Sequence, residues 1–405
     1  MNAPHSPSLL AGVQMAPRDP ILGQTEAFNA DKNPKKVNLG VGVYTGDDGK
    51  VPLLECVSRA ERLLVEQPAA RNYLPIDGLA AYDKAVQGMI FGAESPAVKD
   101  GRIVTVQTLG GTGGLRVGAD FLHRTSPGAG MWISDPSWEN HRAVFESAGF
   151  KVNTYPYYDA KTRGIDFEAM LGGLEAIPAG DIVLLHACCH NPTGVDLSQA
   201  QWAGVAETMA ARGLVPFLDI AYQGFAEGLD ADGSAVRLFA QSGMPVLVAN
   251  SFSKSFSLYG ERVGTLNVVA ASNDEAARVL SQIKRLVRSN YSNPPTHGGK
   301  IVTTVLANPE LRTLWEQELG QMCERIKSMR KLLVEKIHAR VPGADFSFVT
   351  RQRGMFSYSG LTKEQVVRMR EEFAVYAIES GRICVAALNS GNVDYSADAI
   401  AKVIG

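Results

Sequence analysis

Lys254 is the one basic residue in a strip of serines and phenylalanines, Ser251-Phe252-Ser253-Lys254-Ser255-Phe256-Ser257, and Arg262 follows eight positions later. Lysine is rarely buried without a partner. The strip therefore has two readings: an ordinary surface lysine on a polar loop, or a desolvated amine. In the second, burial lowers the amine's pKa from ~10.4 and frees it as a nucleophile. Earlier in the chain a carboxylate, Asp219, closes the apolar run Val215-Pro216-Phe217-Leu218 and leads into Ile220-Ala221-Tyr222-Gln223. Gly110-Gly111-Thr112-Gly113-Gly114 opens a helical pattern with Leu115, Val117 and Phe121 on its apolar side. Backbone N–H groups of such a loop, with a helix N-terminus behind them, make a phosphate cradle. A plain glycine turn is the other reading, because neither a GKS/T ending nor GxGxxG spacing is present. Two more polar loops, Asp135-Pro136-Ser137-Trp138-Glu139-Asn140-His141 and His190-Asn191-Pro192-Thr193-Gly194, complete the set.

One chemistry gives every member a task. A carbonyl cofactor would hold Lys254 as a Schiff base, pair a protonated ring nitrogen with Asp219, and rest a phosphate on the glycine, serine and arginine groups. That cofactor is pyridoxal 5'-phosphate. Loss of a substrate's Cα proton leaves electrons that a protonated ring can accept, and a freed Lys254 amine can move the proton. An NAD-dependent dehydrogenase on a doubly wound sheet explains the glycines but leaves Lys254 and Asp219 idle.

These loops need a frame, and the apolar runs supply one. Ile103–Val106, Met131–Ser134, Ile182–Leu185, Val215–Leu218 and Val246–Ala249 are short and several are rich in β-branched residues, as buried parallel strands are. Helical patterns such as Gln201 to Arg212 lie between them. This order predicts an α/β fold, a mainly parallel sheet flanked by helices, with ligands at the carboxyl ends of its strands. Each polar loop above follows one of those runs. Beyond about residue 305 the pattern changes. Asn308-Pro309-Glu310 is a good helix start, and Met322, Ile326, Met329, Leu333 and Ile337 recur at helical steps until Pro342-Gly343. The elements from Phe346 onward form a smaller α/β unit, which Val37–Tyr44 is expected to join.

Length and composition agree. A chain of 405 residues suggests two to three domains, and 45% hydrophobic with 20% charged residues suits a globular protein. Lys+Arg total 40 against Asp+Glu 42, so no positive field is available for a nucleic-acid backbone or an anionic membrane. Five cysteines without CxxC spacing predict reduced, buried thiols rather than disulfides, and Cys188-Cys189-His190 lacks the further ligands a metal needs. No basic signal front and no run of ~18 apolar residues occurs. A soluble, cytoplasmic protein is expected.

Ser251-Phe252-Ser253-Lys254 with Arg262, preceded by Asn191-Pro192-Thr193-Gly194 and Asp219 through Tyr222, resembles the class I pyridoxal-phosphate-dependent aminotransferases, in their aspartate and aromatic amino acid (tyrosine) branch. The likeness runs from about Asp19 to the C-terminus. It implies a fold type I transferase: an arm over 1–18, a small domain from 19–48 and 343–405, a large cofactor domain over 49–308, and a connecting helix over 309–342. It implies that Lys254 carries the cofactor and shuttles the proton, and that Asp219, backed by His141, pairs with the ring nitrogen. Tyr222 and Asn191 would bind the ring's phenolate oxygen and Trp138 would stack on the ring. Gly111, Thr112, Ser251, Ser253 and Arg262 would take the phosphate, joined by Tyr73 from the other subunit of a homodimer. Arg382 would grip the substrate's α-carboxylate, Arg288 would reach across the dimer to a distal carboxylate, and Val41 and Gly42 would cover the substrate. The implied reaction moves an amino group between an aromatic amino acid or aspartate and 2-oxoglutarate. Gly260 in Leu258-Tyr259-Gly260-Glu261-Arg262, with Trp138-Glu139-Asn140-His141, favours the aromatic branch. A strict aspartate aminotransferase is the alternative. A decarboxylase on the same fold is less consistent with two carboxylate-binding arginines, and a DNA-binding regulator would need a basic extension that is missing.

Overall fold

The computed structural model describes residues 8–16 and 20–405. The other residues of the expected N-terminal arm, 1–7 and 17–18, lie outside these. Seven strands form the central sheet: β1 (Ile103–Leu109), β2 (Met131–Asp135), β3 (Val152–Pro156), β4 (Ile182–His186), β5 (Val215–Ile220), β6 (Val246–Ser251) and β7 (Val263–Val269). Their spatial order is β1-β7-β6-β5-β4-β2-β3. β7 is antiparallel to both neighbours, and the other pairs are parallel. Successive side chains feed opposite faces. Leu184, Phe217, Leu247 and Leu266 pack into one apolar layer, while Val183, Leu185, Leu218, Ile220 and Val248 pack into the other. The architecture is the expected α/β one, a mostly parallel sheet covered by helices on both faces.

All five anticipated strands are present, and each continues past its apolar run. Most of the added residues are polar and buried: Gln107 and Thr108 on β1, His186 on β4, Asp219 on β5, Asn250 and Ser251 on β6, whereas Asp135 on β2 is exposed. The ladder thus carries polar side chains to the carboxyl edge. The glycine run differs from the expected loop, because Gly110–Thr125 is helical from its first glycine. Close packing explains it. A Cβ on Gly114 would lie 2.6 Å from the Thr265 carbonyl oxygen, and one on Gly118 2.5 Å from the Phe217 ring. Only glycine lets this helix sit so near the sheet.

Helix Pro309–Arg340 has 32 residues, which makes it about 48 Å long. The Asn308 side chain accepts from the Glu310 and Leu311 amides at 3.0 and 3.1 Å, fixing its start. Its buried stripe includes Leu311, Trp315, Leu319, Met322, Ile326, Leu333 and Ile337. Met329, expected on that stripe, is only partly buried, and Arg330 occupies the position instead. In the smaller unit Phe356–Tyr358 pairs antiparallel with Arg382–Cys384. Val37–Asn38 pairs parallel with Val375–Tyr376, so the early segment does join the late one. Among the described residues no helix is long and apolar enough to cross a membrane.

Candidate active site

Asp219 lies near the end of β5, with His186 and Ala249 as its ladder neighbours, and is 9% exposed. Burial alone would raise its pKa. The hydrogen bond from His141 outweighs that, helped by the electrostatic pull of His141, His186 and Lys254, and holds the carboxyl below its ordinary value. The supporting hydrogen bonds have one consistent direction. The Asn191 amide donates to His186 Nδ1 (3.4 Å), so His186 Nε2 donates to Ser137 Oγ (3.1 Å). The Ser137 hydroxyl then donates to His141 Nδ1 (3.0 Å), leaving His141 Nε2 to donate to Asp219 Oδ2 (2.8 Å). Burial, then the positive potential of His141, pushes the His186 pKa down to about 3 against the pull of Asp219, so its ring is neutral here.

Lys254 follows β6, its Nζ 4.9 Å from the centre of the Tyr222 ring. Burial brings its pKa down to about 8; Asp219 opposes this and Arg262 adds to it. Burial also raises the Tyr222 pKa, with Arg382 pulling the other way. A largely desolvated amine near a carboxylate and a phenol is thereby poised between its charged and neutral forms near neutral pH.

Beside them the N-terminus of helix Gly110–Thr125 meets Ser251, Ser253 and Arg262. Arg262 has left-handed backbone (φ 55°) and donates to Ser253 Oγ (3.4 Å), the Tyr259 carbonyl (2.9 Å) and the Leu109 carbonyl (3.5 Å). Its partners are neutral oxygens, and among the described residues no carboxylate forms an ion pair with it. A Cβ on Gly110 would come within 2.5 Å of the guanidinium, and one on Gly111 within 3.0 Å of Ser251 Cβ. Free helix N–H groups, two hydroxyls and an unneutralised cation make an anion cradle.

Arg382 is 1% exposed and comes from the smaller unit. Its guanidinium donates to Asn191 Oδ1 (3.2 Å) and the Gly40 carbonyl (2.7 Å), and its buried Nε has no partner. The group lies 4.4 Å from the centre of the Phe356 ring. A Cβ on Gly42 would be 2.8 Å from that same ring, so the Gly40–Gly42 segment and Arg382 meet at Phe356. Trp138 is half-buried and edge-on to His141 at 5.1 Å.

The chain thus brings together Lys254, Asp219, Tyr222, His141, Asn191, Trp138, the cradle around Gly111, Thr112, Ser251, Ser253 and Arg262, and the Val41–Gly42 and Arg382 side. Two candidates stand apart. Tyr73 is 92% exposed, and Arg288, in the last turn of helix Asn273–Asn290, hydrogen-bonds Ser292. Sequence reasoning missed His186, Ser137, Tyr259 and Phe356. His186 ends an apolar strand as Asp219 does, and that shared position could have revealed it. Phe356, and Tyr259, whose hydroxyl accepts from the Tyr44 amide at 2.9 Å, have no local signal.

The family described as aminotransferase class I and II matches residues 34–400. An aspartate aminotransferase of Pseudomonas aeruginosa is 59% identical over 397 residues, covering 98% of this chain and all of that protein. An aromatic-amino-acid aminotransferase of Escherichia coli is 51% identical over 387 residues, covering 95% of this chain and 98% of that one. The crystal structure of an aromatic-amino-acid aminotransferase from Burkholderia pseudomallei, covalently bound to pyridoxal phosphate, superposes with a TM-score of 0.96 at 63% identity, covering 98% of this chain and all of that one.

Proposed function

The chain belongs to the class I and II aminotransferases, and on that premise we propose that it accepts both aromatic amino acids and aspartate, with 2-oxoglutarate as the partner acid, using the residues assembled above. It is a pyridoxal-phosphate-dependent transaminase acting on amino acids and 2-oxo acids. The residues fit that cofactor. The observation that carries this is the pair of buried or cradle-forming cations without carboxylate partners, Arg262 and Arg382, flanking a lysine next to Asp219. One suits a phosphate, the other a carboxylate.

When bound, the cofactor supplies an electrophilic carbon for an amine and a ring that accepts an electron pair. The chain does the rest. Lys254 would hold the cofactor's reactive carbon, and its amine is the group that would carry the Cα proton. Asp219, kept ionised by His141, holds a proton on the ring nitrogen. Tyr222 and Asn191 donate to the ring's phenolate oxygen, and Trp138 covers the ring. Gly111, Thr112, Ser251, Ser253 and Arg262 anchor the phosphate. Arg382 would grip the α-carboxylate and so fix the orientation of the substrate's Cα bonds. Val41 and Gly42 exclude water above it.

Residues 19–48 and 343–405 act as the small domain, 49–308 as the large one and 309–342 as their connection. Two copies share their sites: Tyr73 serves its partner's phosphate and Arg288 its partner's distal carboxylate. The exposure of Tyr73, and of the apolar Leu9, Leu10, Met15, Leu53 and Val65, supports a surface that a second copy covers. The cytoplasm is the proposed compartment. A strict aspartate enzyme is the second reading, favoured by the Pseudomonas relative. Specificity constants for aspartate, tyrosine and phenylalanine test the choice, and activity on aspartate alone would overturn dual specificity. Sedimentation as a monomer at working concentration would overturn the shared site.

A further inference from the structure

Arg330 is the charged residue on the otherwise apolar stripe of the long helix, and it is 2% exposed. Burying a guanidinium is costly, and an apolar side chain of similar size would fill the space at less cost. Among the described residues no carboxylate pairs with it. Its partners are three backbone carbonyls on one short stretch: Val349 (3.3 Å), Gly354 (2.7 Å) and Phe356. A planar fork with five N–H donors suits three converging oxygens as no apolar group can. These carbonyls belong to the segment that enters strand Phe356–Tyr358, the partner of Arg382–Cys384.

The opposite side of the segment is held as well. The Arg353 amide donates to the Gly194 carbonyl at 2.6 Å, and a Cβ on Gly194 would lie 2.8 Å from the Phe356 carbonyl oxygen. Gly194 lies three residues after Asn191, which itself accepts from Arg382. The start of the strand is therefore clamped between the long helix and the Asn191 loop. The first side chain of that strand, the Phe356 ring, is 4.4 Å from the Arg382 guanidinium, edge-on to Tyr222 at 5.9 Å, and in the path of any Cβ on Gly42.

We propose that Arg330 is a positioning residue for substrate binding: by tying down the carbonyls of residues 349, 354 and 356 it sets the Phe356 ring, and the ring sets the angle at which Arg382 meets a carboxylate. This rests on the reading of Arg382 as the α-carboxylate arginine. Arg330 touches neither substrate nor cofactor, so its loss reaches the reaction through carboxylate affinity alone.

The test uses the holoenzyme and succinate, a dicarboxylate that cannot react, with binding read from the cofactor's absorbance. Arg330→Met should weaken succinate about tenfold and raise KM for aspartate and phenylalanine alike, as displacement of a remote support does. kcat and the cofactor spectrum should move much less. Arg330→Lys, which keeps a donor, should recover part of the loss. Phe356→Leu should weaken succinate by itself, and adding Arg330→Met to it should cost less than about twofold more, because the two act through one path. Succinate affinity unchanged in a folded Arg330→Met, or a full loss still added on the Phe356→Leu background, overturns the proposal. If Arg330→Met does not fold, Arg330→Lys carries the test. Its partial loss of affinity should vanish on the Phe356→Leu background, and unchanged affinity overturns the idea. Arg382→Leu is measured alongside: undiminished succinate binding there overturns the arginine's own assignment instead.

Discussion

At the carboxyl edge of the sheet, hydrogen bonds pass in one direction from the Asn191 amide through His186, Ser137 and His141 to Asp219. On the other side of the same site, Arg382 keeps a buried Nε without a partner, while Arg288 and Tyr73, proposed to serve a partner's site, are exposed and apart from it. The first region is complete within one chain, its titrating groups already balanced against one another. The second is left open, its cations lacking anions and two of its members lacking a site. A resident cofactor rewards rigid, satisfied support. A substrate that changes from turn to turn must bring the missing charge itself, and leaves when its carboxylates do. The division also follows the fold, since strands deliver the first set and the smaller unit and exposed helix ends deliver the second.

The sharpest blow to the balanced region is Lys254→Ala. Nucleophile and proton carrier go together, so turnover should fall at least about 10⁴-fold while fold and cofactor affinity persist. Near-normal turnover would dissolve the distinction, because the amine would have no special place. Asp219→Asn comes next. Shape is kept and charge is lost, so turnover should drop on the order of 10²–10³-fold, with weaker cofactor binding, as for loss of a preorganised charge. The ionised state of Asp219 also has a pH sign. Its native pKa lies below the ordinary 3.8, so what it contributes to stability is present above that value and fades as pH falls through the lower native one. Full turnover by Asp219→Asn would mean the relay supports geometry rather than charge.

The open region predicts selectivity instead of collapse. Arg288→Leu should lower the specificity constant for aspartate about 10–100-fold, the equivalent of a charge-assisted pair worth about 1.5–3 kcal/mol. Phenylalanine, which has no second carboxylate, should lose little. Pairing one Lys254→Ala chain with one Arg288→Leu chain puts both lesions in a single site and should recover about half of the unmodified aspartate activity, since one of two symmetric sites stays whole. Equal losses for both substrates would overturn the distal-carboxylate role, and no recovery in a stably folded mixed dimer would overturn the reach across the dimer.

How far each region could be read from the sequence follows the same divide. Apolar runs ending in Asp219, Ser251 and the Asn191 loop announced the balanced region, because a strand end fixes where the next polar residue stands. The polar strand tails were missed, since a hydrophobic run stops at Leu218 while its ladder continues to Ile220. β7 was overlooked for a related reason. Thr265 and Asn267 interrupt its apolar pattern yet are fully buried, and Asn267 is satisfied by the Val248 carbonyl, Thr265 and Thr105. On the long helix, steps of three and four both keep a residue near the stripe, so the pattern admits Met329 and gives no sign of Arg330. Only the facing carbonyls decide between them. Phe356 has no local mark because its role comes from three neighbours far apart in the chain.

The smallest expected effect is a displacement along the pH axis, and it probes whether the balanced region is balanced by charge. An ordinary lysine amine titrates near 10.5, whereas burial brings Lys254 to about 8 even though Asp219 resists; Arg262 pushes in the same direction as burial. In the cofactor-free chain, modification of this amine by an acylating reagent should therefore be half-maximal near pH 8, because only the neutral form reacts. Asp219→Asn removes the opposing charge and should move the midpoint lower. Arg262→Met removes a like charge and should move it higher. The same depression has a stability sign: between about 8 and 10.5 the unfolded chain carries a proton on Lys254 that the folded one has released, so this group makes the cofactor-free fold more stable as pH rises across that window. A midpoint near 10.5, or shifts of the wrong sign in the two variants, would place Lys254 in open solvent and leave Asp219 balanced by its histidines alone.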